Sequence, residues 1–164
     1  MRFGILCVSD RCSRGECEDR SGPAIAECVA PLSDENSYRL VPDEAQAIQN
    51  ALVELADGFG ADVIFTTGGT GFAPRDVTPE ATRAVLDREA PGIAEAIRAQ
   101  SMTITPRAML SRAVSGIRGR TLIVNLPGSP KAVRESIAVV LPVLEHAVEL
   151  LGGDTQSCGG KYGK

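Results

Sequence analysis

The sequence predicts an α/β fold with a mostly parallel central sheet and one antiparallel hairpin. Four apolar runs with the length of buried strands alternate with helical patterns, which is typical of a parallel α/β sheet. These runs are residues 3–8, 38–41, 61–65 and 121–126. A further run, 113–117, is joined to the last one by the short turn 118–120, which indicates a hairpin and makes the predicted sheet mixed.

Two helices are indicated by apolar residues that recur at helical spacing. The first stripe consists of Ala45, Ile48, Leu52, Leu55 and Ala56, and the second of Val133, Ile137, Val140, Leu144, Val148 and Leu151. Helix starts are marked by Thr78-Pro79 and Ser129-Pro130, because proline is favoured in the first turn of a helix. Each apolar stripe needs a face of the sheet to cover.

The length and composition predict one domain with a continuous core. The chain has 164 residues, and no repeat or linker divides residues 1–151. Residues 152–164 contain five glycines and no apolar periodicity, so we expect a flexible tail there. No apolar stretch approaches the roughly 20 residues that cross a bilayer, and residues 3–8 lack the features of a signal peptide. We therefore expect a cytoplasmic protein without membrane association.

Charge and cysteine content argue against two other classes of protein. The net charge of −4 disfavours general nucleic-acid binding, which needs a basic surface. The five cysteines form no CxxC pair, and the single histidine, His146, lies off the apolar stripe of its helix. Buried or incidental thiols are therefore favoured over a zinc site or a disulfide framework. The cysteines are Cys7, Cys12, Cys17, Cys28 and Cys158.

The most informative segment is TTGGTGFAPRDVTPE, residues 66–80. Directly after a predicted strand it carries the glycine loop, residues 68–71, which consists of Gly68, Gly69, Thr70 and Gly71. Glycines let the main chain approach a phosphate, and a following helix start favours an anion. Asp76 is the anomaly, because a carboxylate beside a phosphate is unfavourable unless a cation such as Mg²⁺ lies between them. The alternatives are glycines that only shape a turn and an aspartate that only caps it.

Polar loops follow the predicted strands, and in an open parallel sheet such loops meet at the carboxyl edge, where ligands bind. They are Ser9-Asp10 running on through Asp19, Ser21 and Gly22; Pro42-Asp43-Glu44; the glycine loop; and Pro127-Gly128-Ser129. Asp43 has its own alternative, because Gln46 follows at the spacing of a capping box, and taken alone the helix cap is the favoured interpretation. Ser111 and Arg112 fit either a ligand pair or a solvated strand start.

Together these motifs resemble the Mog family of molybdopterin adenylyltransferases, of the MogA type, and the G-type domains of gephyrin and its plant counterpart. The resemblance covers nearly all of the chain except its tail. The motifs are VSD at 8–10, DRSGP at 19–23, VPDE at 41–44, TTGGTGFAPRDVTPEAT at 66–82, ITPRAMLSRAVSGIRG at 104–119 and LIVNLPGSPKAV at 122–133. The resemblance implies a three-layer α/β sandwich with the molybdopterin-binding (MogA-like) fold, which is usually a homotrimer.

The resemblance also implies an activity, the transfer of AMP from Mg·ATP to the terminal phosphate of molybdopterin with release of pyrophosphate. The adenylylated pterin would then pass to a molybdenum-insertion protein. The MoaB-like branch shares the fold and the glycine loop, so a non-catalytic molybdopterin-binding carrier or assembly module is the alternative.

The family's site residues fall on positions already singled out in this sequence. Its two essential aspartates correspond to Asp43 and Asp76, which would hold Mg²⁺. Its pterin-side serines correspond to Ser101 and Ser111, with Arg112 near the acceptor phosphate, and its nucleotide loops correspond to residues 68–71 and 127–129.

Overall fold

A computed structural model describes residues 1–153, in which six strands form one mixed sheet. The strands are β1 Arg2–Val8, β2 Glu35–Val41, β3 Val63–Thr67, β4 Arg88–Glu89, β5 Ser115–Arg118 and β6 Thr121–Leu126. Their spatial order is β2-β1-β3-β6-β5-β4. The first four strands in this order run parallel, whereas β5 is antiparallel to β6 and β4 is antiparallel to β5. The predicted mixed sheet is confirmed, and β4 is an edge strand that the sequence did not predict.

Helices cover both faces of this sheet. They are α1 Asp10–Ser13, α2 Ser21–Val29, α3 Ala45–Val53, α4 Thr78–Arg83, α5 Pro91–Met102 and α6 Pro130–Leu151. Short 3-10 helices lie at Ala30–Leu32 and Pro106–Leu110, and a π-helical turn at Glu54–Gly58 continues α3. Helices α2, α5 and α6 pack on one face, and α3 and α4 pack on the other. The three-layer architecture implied by the resemblance is therefore confirmed.

The three central parallel strands, β1, β3 and β6, supply side chains to two hydrophobic cores, because successive residues of a strand point to opposite faces, whereas the edge strand β2 is largely exposed. In β1, Ile5 faces the core under α2, α5 and α6, whereas Leu6 faces the core under α3 and α4. The rings of Phe3 and Phe65 stack within the first core with their centroids 6.2 Å apart. Burial on both faces explains why these strands appear in the sequence as continuous apolar runs.

The predicted helical stripes agree with the observed burial except at their ends. In the first stripe Ile48, Leu52, Leu55 and Ala56 are buried, whereas Ala45 is exposed. Ala45 is the first residue of α3, and its inclusion in the core stripe was wrong. In the second stripe the four residues from Val133 to Leu144 are buried, whereas Val148 and Leu151 are half-buried.

The parallel strands end together at one edge of the sheet. Val8 of β1 is paired with Val41 of β2, and Thr67 of β3 is paired with both Cys7 of β1 and Leu126 of β6. The four loops singled out in the sequence therefore leave the sheet side by side. The predicted hairpin is also present, although β5 begins at Ser115, two residues later than the apolar run.

Within residues 1–153, no helix has the length and apolar character needed to span a membrane. The thiols of Cys7, Cys12, Cys17 and Cys28 are free, and Cys7 is buried. Most of the predicted flexible tail, residues 154–164 with Cys158, lies outside the described residues.

Candidate active site

The glycine loop passes so close to the backbone of β1 and to the side chain of Thr78 that its first two residues must be glycine. Gly68 has φ 97° and Gly69 has φ 63°, in the left-handed region that favours glycine. A Cβ atom at Gly68 would lie far inside 3.0 Å of the Val8 carbonyl oxygen, and one at Gly69 would overlap the Thr78 hydroxyl. The loop is therefore pressed against the end of β1 and the start of α4.

Hydrogen bonds hold the glycine loop and the 127–129 loop in one frame. The Thr78 hydroxyl donates to the Gly68 carbonyl over 3.0 Å, and the Thr78 amide donates to the Gly69 carbonyl over 3.1 Å. From the preceding strand, the Thr67 hydroxyl donates to the Pro127 carbonyl over 2.7 Å. A Cβ atom at Gly128 would lie 3.6 Å from the Gly68 Cα, so the two loops approach van der Waals contact.

The Asp43 carboxylate points to the glycine loop rather than to the start of its own helix. Its Oδ2 accepts the Asp10 amide over 2.8 Å, and its Oδ1 would lie 3.0 Å from a Cβ atom built on Gly69. The residue at the N-cap position of α3 is Glu44, whose side chain makes no capping bond. The helix-cap interpretation of Asp43 was therefore wrong, because the strand-end loop turns this carboxylate back towards β1.

The Asp76 carboxylate lies next to Gly71 of the same loop. Its Oδ2 accepts the Ala73 amide over 2.9 Å, and the Asp76 amide donates to the Ala73 carbonyl over 2.9 Å. Asp76 thus caps a tight turn, as one of the two sequence interpretations proposed. A Cβ atom at Gly71 would also lie 2.9 Å from its Oδ2. The turn therefore holds the carboxylate against the glycine loop, so the capping and ligand interpretations are compatible.

Negative charge gathers around the glycine loop. Burial, together with the nearby carboxylates of Asp10 and Asp76, raises the pKa of Asp43 above its ordinary value. The pKa of Asp10 is lowered, because Arg75 forms a two-pronged ion pair with it, Nε to Oδ2 over 2.8 Å and Nη2 to Oδ1 over 2.9 Å. Among residues 1–153, Asp10 is thus the only one of these three carboxylates that is paired with a cationic side chain.

The donor set fits a hard divalent cation that is shared with a ligand. Within residues 1–153, no group of three His, Cys, Asp or Glu side chains is arranged to hold a metal ion by itself. Asp43 and Asp76 offer carboxylate oxygens next to Gly69 and Gly71 of a loop suited to phosphate. Mg²⁺ is typically bound by one or two carboxylates with substrate phosphates completing its shell. The residues present therefore suit Mg²⁺ bound together with a nucleotide phosphate.

Arg112 braces the glycine loop. Its Nε donates to the Gly71 carbonyl over 2.7 Å, and its amide donates to the Thr70 carbonyl over 2.9 Å. The remaining guanidinium nitrogens bond the Asp76 carbonyl and a carboxylate oxygen of Glu80. The sequence placed Arg112 beside the acceptor phosphate, whereas the structure directs its donors to the loop backbone and to Glu80. Its contact with a pterin phosphate remains a prediction.

The two predicted pterin-side serines lie in one cavity of about 270 Å³, here called the serine cavity. Ser101 of α5 and Ser111 line it together with Thr70, and its other walls are mostly apolar. Sequence reasoning missed Arg98 and Arg107, which also line it. Arg98 lies three residues before Ser101 on the same helix face, a spacing that could have identified it. Its Nη1 donates to the Ala113 carbonyl over 2.8 Å and thereby fixes the segment that carries Ser111.

A second cavity of about 360 Å³, here called the Asp19 cavity, lies between the loops that follow β1, β3 and β6. Its lining includes Ser9, Asp19, Ser21, Gly68 and Gly128. The Asp19 carboxylate accepts the Ser21 amide over 2.8 Å and the Gly22 amide over 3.0 Å, so it caps α2. The Ser21 hydroxyl in turn donates to the Gly128 carbonyl over 2.8 Å.

The glycine loop and the 127–129 loop both contribute to the two cavities. Gly68 and Gly128 line the Asp19 cavity, whereas Thr70, Gly71 and Pro127 line the serine cavity. Ser129 lies at the start of α6, where its hydroxyl caps the helix by accepting the Ala132 amide over 3.2 Å. The structure thus brings the predicted loops together and places the glycine loop and the 127–129 loop between two candidate ligand cavities.

Comparison with known proteins agrees with this geometry. Residues 4–146 match the family described as a probable molybdopterin binding domain. The chain belongs to this family. The molybdopterin adenylyltransferase of Helicobacter pylori strain J99 is 43% identical over 159 residues, which cover 94% of this chain and 89% of that protein. The molybdopterin adenylyltransferase of Escherichia coli K12 is 45% identical over 140 residues, which cover 84% of this chain and 72% of that protein.

The solved structures include a similar fold from Thermus thermophilus. This molybdopterin biosynthesis enzyme MoaB superposes with a TM-score of 0.85 at 55% sequence identity, and the match covers 93% of this chain and 96% of that chain. The family and fold predicted from the motifs are therefore confirmed.

Proposed function

We propose that this protein is a molybdopterin adenylyltransferase, which transfers AMP from ATP to the terminal phosphate of molybdopterin and releases pyrophosphate. Relatives at 43% and 45% identity over most of the chain bear that name. The observation that carries the proposal is the pair of carboxylates, Asp43 and Asp76, which face one phosphate-type glycine loop between two cavities.

The two cavities suit two different substrates. The serine cavity has mostly apolar walls, and its polar groups include Ser101, Ser111, two arginines and Glu135, a combination that suits a flat pterin with polar edges. We assign molybdopterin to this cavity and the nucleotide to the Asp19 cavity. Because Gly68 borders one cavity and Gly71 the other, the phosphates of both ligands would meet over the glycine loop.

The reaction needs positioning and charge neutralisation more than a protein nucleophile. An oxygen of the molybdopterin phosphate attacks the α-phosphorus of ATP, the bond to the bridging oxygen of the β-phosphate breaks, and pyrophosphate leaves with that oxygen. The amides of the glycine loop would orient the reacting phosphates, and Asp43 and Asp76 would hold Mg²⁺. When bound, this ion would stabilise the negative charge that develops on the leaving pyrophosphate.

We also propose the finer features that the family resemblance implies. The protein would act as a cytoplasmic homotrimer and pass its product to a molybdenum-insertion protein. Measurement of the molecular mass in solution tests the trimer, and a dependence of transfer on added Mg²⁺ after chelation tests the ion.

A transfer assay separates an enzyme from a non-catalytic carrier. Purified protein is mixed with molybdopterin, Mg²⁺ and ATP labelled at the α-phosphate, and labelled adenylyl-molybdopterin is the expected product. Asp76→Asn should remove the activity, whereas Asp34→Asn should not, because Asp34 is highly exposed and precedes β2 at the opposite edge of the sheet. Tight pterin binding without labelled product would instead support the carrier.

A further inference from the structure

The loops that follow β1 and β2 are joined through a reciprocal pair of aspartates. Asp10 Oδ1 accepts the Asp43 amide over 3.0 Å, and Asp43 Oδ2 accepts the Asp10 amide over 2.8 Å. The Ser9 amide also donates to the Val41 carbonyl over 2.9 Å, which continues the pairing of the two strands. With its own amide and its Oδ2 both engaged by Asp10, the Asp43 side chain is restricted to one orientation.

This orientation directs the second oxygen of Asp43 at the glycine loop. Asp43 Oδ1 is the atom that a Cβ at Gly69 would approach to 3.0 Å. A carboxylate that lost its bond to the Asp10 amide could rotate and exchange its oxygens. That amide belongs to the main chain, so the Asp10 side chain acts indirectly. Its Oδ1 holds the Asp43 amide, and its ion pair with Arg75 holds the loop after β1, which together keep the Asp10 amide within reach of Asp43 Oδ2.

The Asp10 carboxylate is itself held in place by an ion pair with Arg75. Its guanidinium contacts both oxygens of the Asp10 carboxylate, a geometry that lysine cannot reproduce. Arg75 immediately precedes Asp76, so this ion pair links the segment that carries Asp76 to the loop that orients Asp43. The pair also offsets the charge of Asp10 and leaves the other two carboxylates available to a cation.

We propose that Asp10 and Arg75 are positioning residues that orient Asp43 towards the glycine loop without contacting the reacting atoms. The inference rests on the proposed function for its catalytic consequence, whereas the orientation of Asp43 can be tested without it. Outer residues that orient metal ligands typically contribute 10- to 100-fold to metal affinity or activity. We expect losses of that order when either residue is replaced.

The test compares Asp10→Ala and Arg75→Lys with a matched control. Glu16→Gln is suitable, because Glu16 forms a similar two-pronged ion pair with Arg14 a few residues away and does not line the Asp19 cavity. Mn²⁺ binding in the presence of ATP is measured by electron paramagnetic resonance, beside kcat, KM for ATP and melting temperature. Asp10→Ala and Arg75→Lys should weaken Mn²⁺ binding and lower kcat by about 10- to 100-fold, while Glu16→Gln should match wild type.

A double variant, Asp10→Ala combined with Asp43→Asn, distinguishes positioning from a general structural role. If Asp10 acts through Asp43, then Asp10→Ala should add little to the loss already caused by Asp43→Asn. Full additivity of the two losses, or Mn²⁺ binding and kcat within twofold of wild type in Asp10→Ala, would overturn the proposal. A large fall in melting temperature that accounts for the whole loss of activity would also overturn it.

A crystal structure of Asp10→Ala gives the readout that does not depend on activity. The Asp43 carboxylate should be rotated or disordered relative to Gly69, and an unchanged carboxylate would refute the positioning role. If instead the wild-type protein transfers no AMP, the proposed function fails, and the structure of the variant still decides whether Asp10 orients Asp43.

Discussion

Substitution of Gly68 by alanine tests whether the close approach of the glycine loop to β1 is needed for activity. A left-handed backbone costs a non-glycine residue about 1–2 kcal/mol. The new Cβ would also lie far inside 3.0 Å of the Val8 carbonyl oxygen. Because β1 is held between β2 and β3, the loop must move instead of the strand, by a large fraction of an ångström. A misplacement of about 1 Å at an active site can cost about 100-fold in rate.

Gly119→Ala is the matched control for backbone strain. Gly119 has φ 56° in the β5–β6 turn, and nothing lies within 4 Å of a Cβ built there. Backbone strain should lower the melting temperature of both variants, by about 2–4 °C for each kcal/mol of unfolding free energy that is lost in a chain of this size. Only Gly68→Ala should also lose AMP transfer, by about 10- to 100-fold at a temperature where both proteins are folded.

The assay is single-turnover transfer from α-labelled ATP to molybdopterin, with the folded fraction checked by circular dichroism. Transfer by Gly68→Ala within about threefold of Gly119→Ala would refute the claim that the loop must be seated on β1 for catalysis. Equal losses in both variants would assign the effect to stability alone.

Three further substitutions test individual side chains. Asp76→Asn should lower transfer at least 100-fold, about 3 kcal/mol, with pterin binding retained, and near-normal turnover would exclude a role as metal ligand. Asp43 has a raised pKa in the folded state, so its contribution to stability is present below its ordinary value of 3.8 and is lost as pH rises through the folded-state pKa. The melting temperature of Asp43→Asn relative to wild type should therefore increase towards neutral pH while transfer is lost, and thermal melts across this range check the sign. Arg112→Lys should cost about 1–2 kcal/mol in denaturant unfolding and impair the use of both substrates, because the loop that it braces borders both cavities. A loss confined to molybdopterin would favour direct contact with the acceptor phosphate.

Local patterns in the sequence were sufficient to predict the parallel strands, the hairpin and the glycine loop, although not the edge strand β4. The buried strands are apolar on both faces, and the Thr78-Pro79 start of α4 is a short-range signal. Three glycines within four residues required a special backbone, and two of them have positive φ. Each of these signals is carried by neighbouring residues in the chain, which is why they could be read without the structure, although the contact with Val8 that requires glycine at position 68 is tertiary.

Features that depend on contacts between distant segments could not be predicted. Asp43 and Gln46 have the spacing of a capping box, but the pairing of β1 with β2 turns the carboxylate to Asp10, 33 residues away. Arg112 resembles a free phosphate ligand in the sequence, yet it bonds the Gly71 carbonyl, 41 residues away. In both cases a tertiary contact competes with a local signal and determines the orientation of the side chain.

The distribution of charge at the glycine loop connects stability to function. Of the three neighbouring carboxylates, Asp10 is neutralised by Arg75, and Asp76 accepts a backbone amide in its own turn. Asp43 accepts a single amide, and burial and its two acidic neighbours disfavour its charged form. A fold selected only for stability would gain from an uncharged residue at this position. The retained carboxylate of Asp43 is therefore best explained by a ligand that brings positive charge to the loop. The residue whose charged form is disfavoured in the free protein is thus the same residue that Asp10 and Arg75 orient.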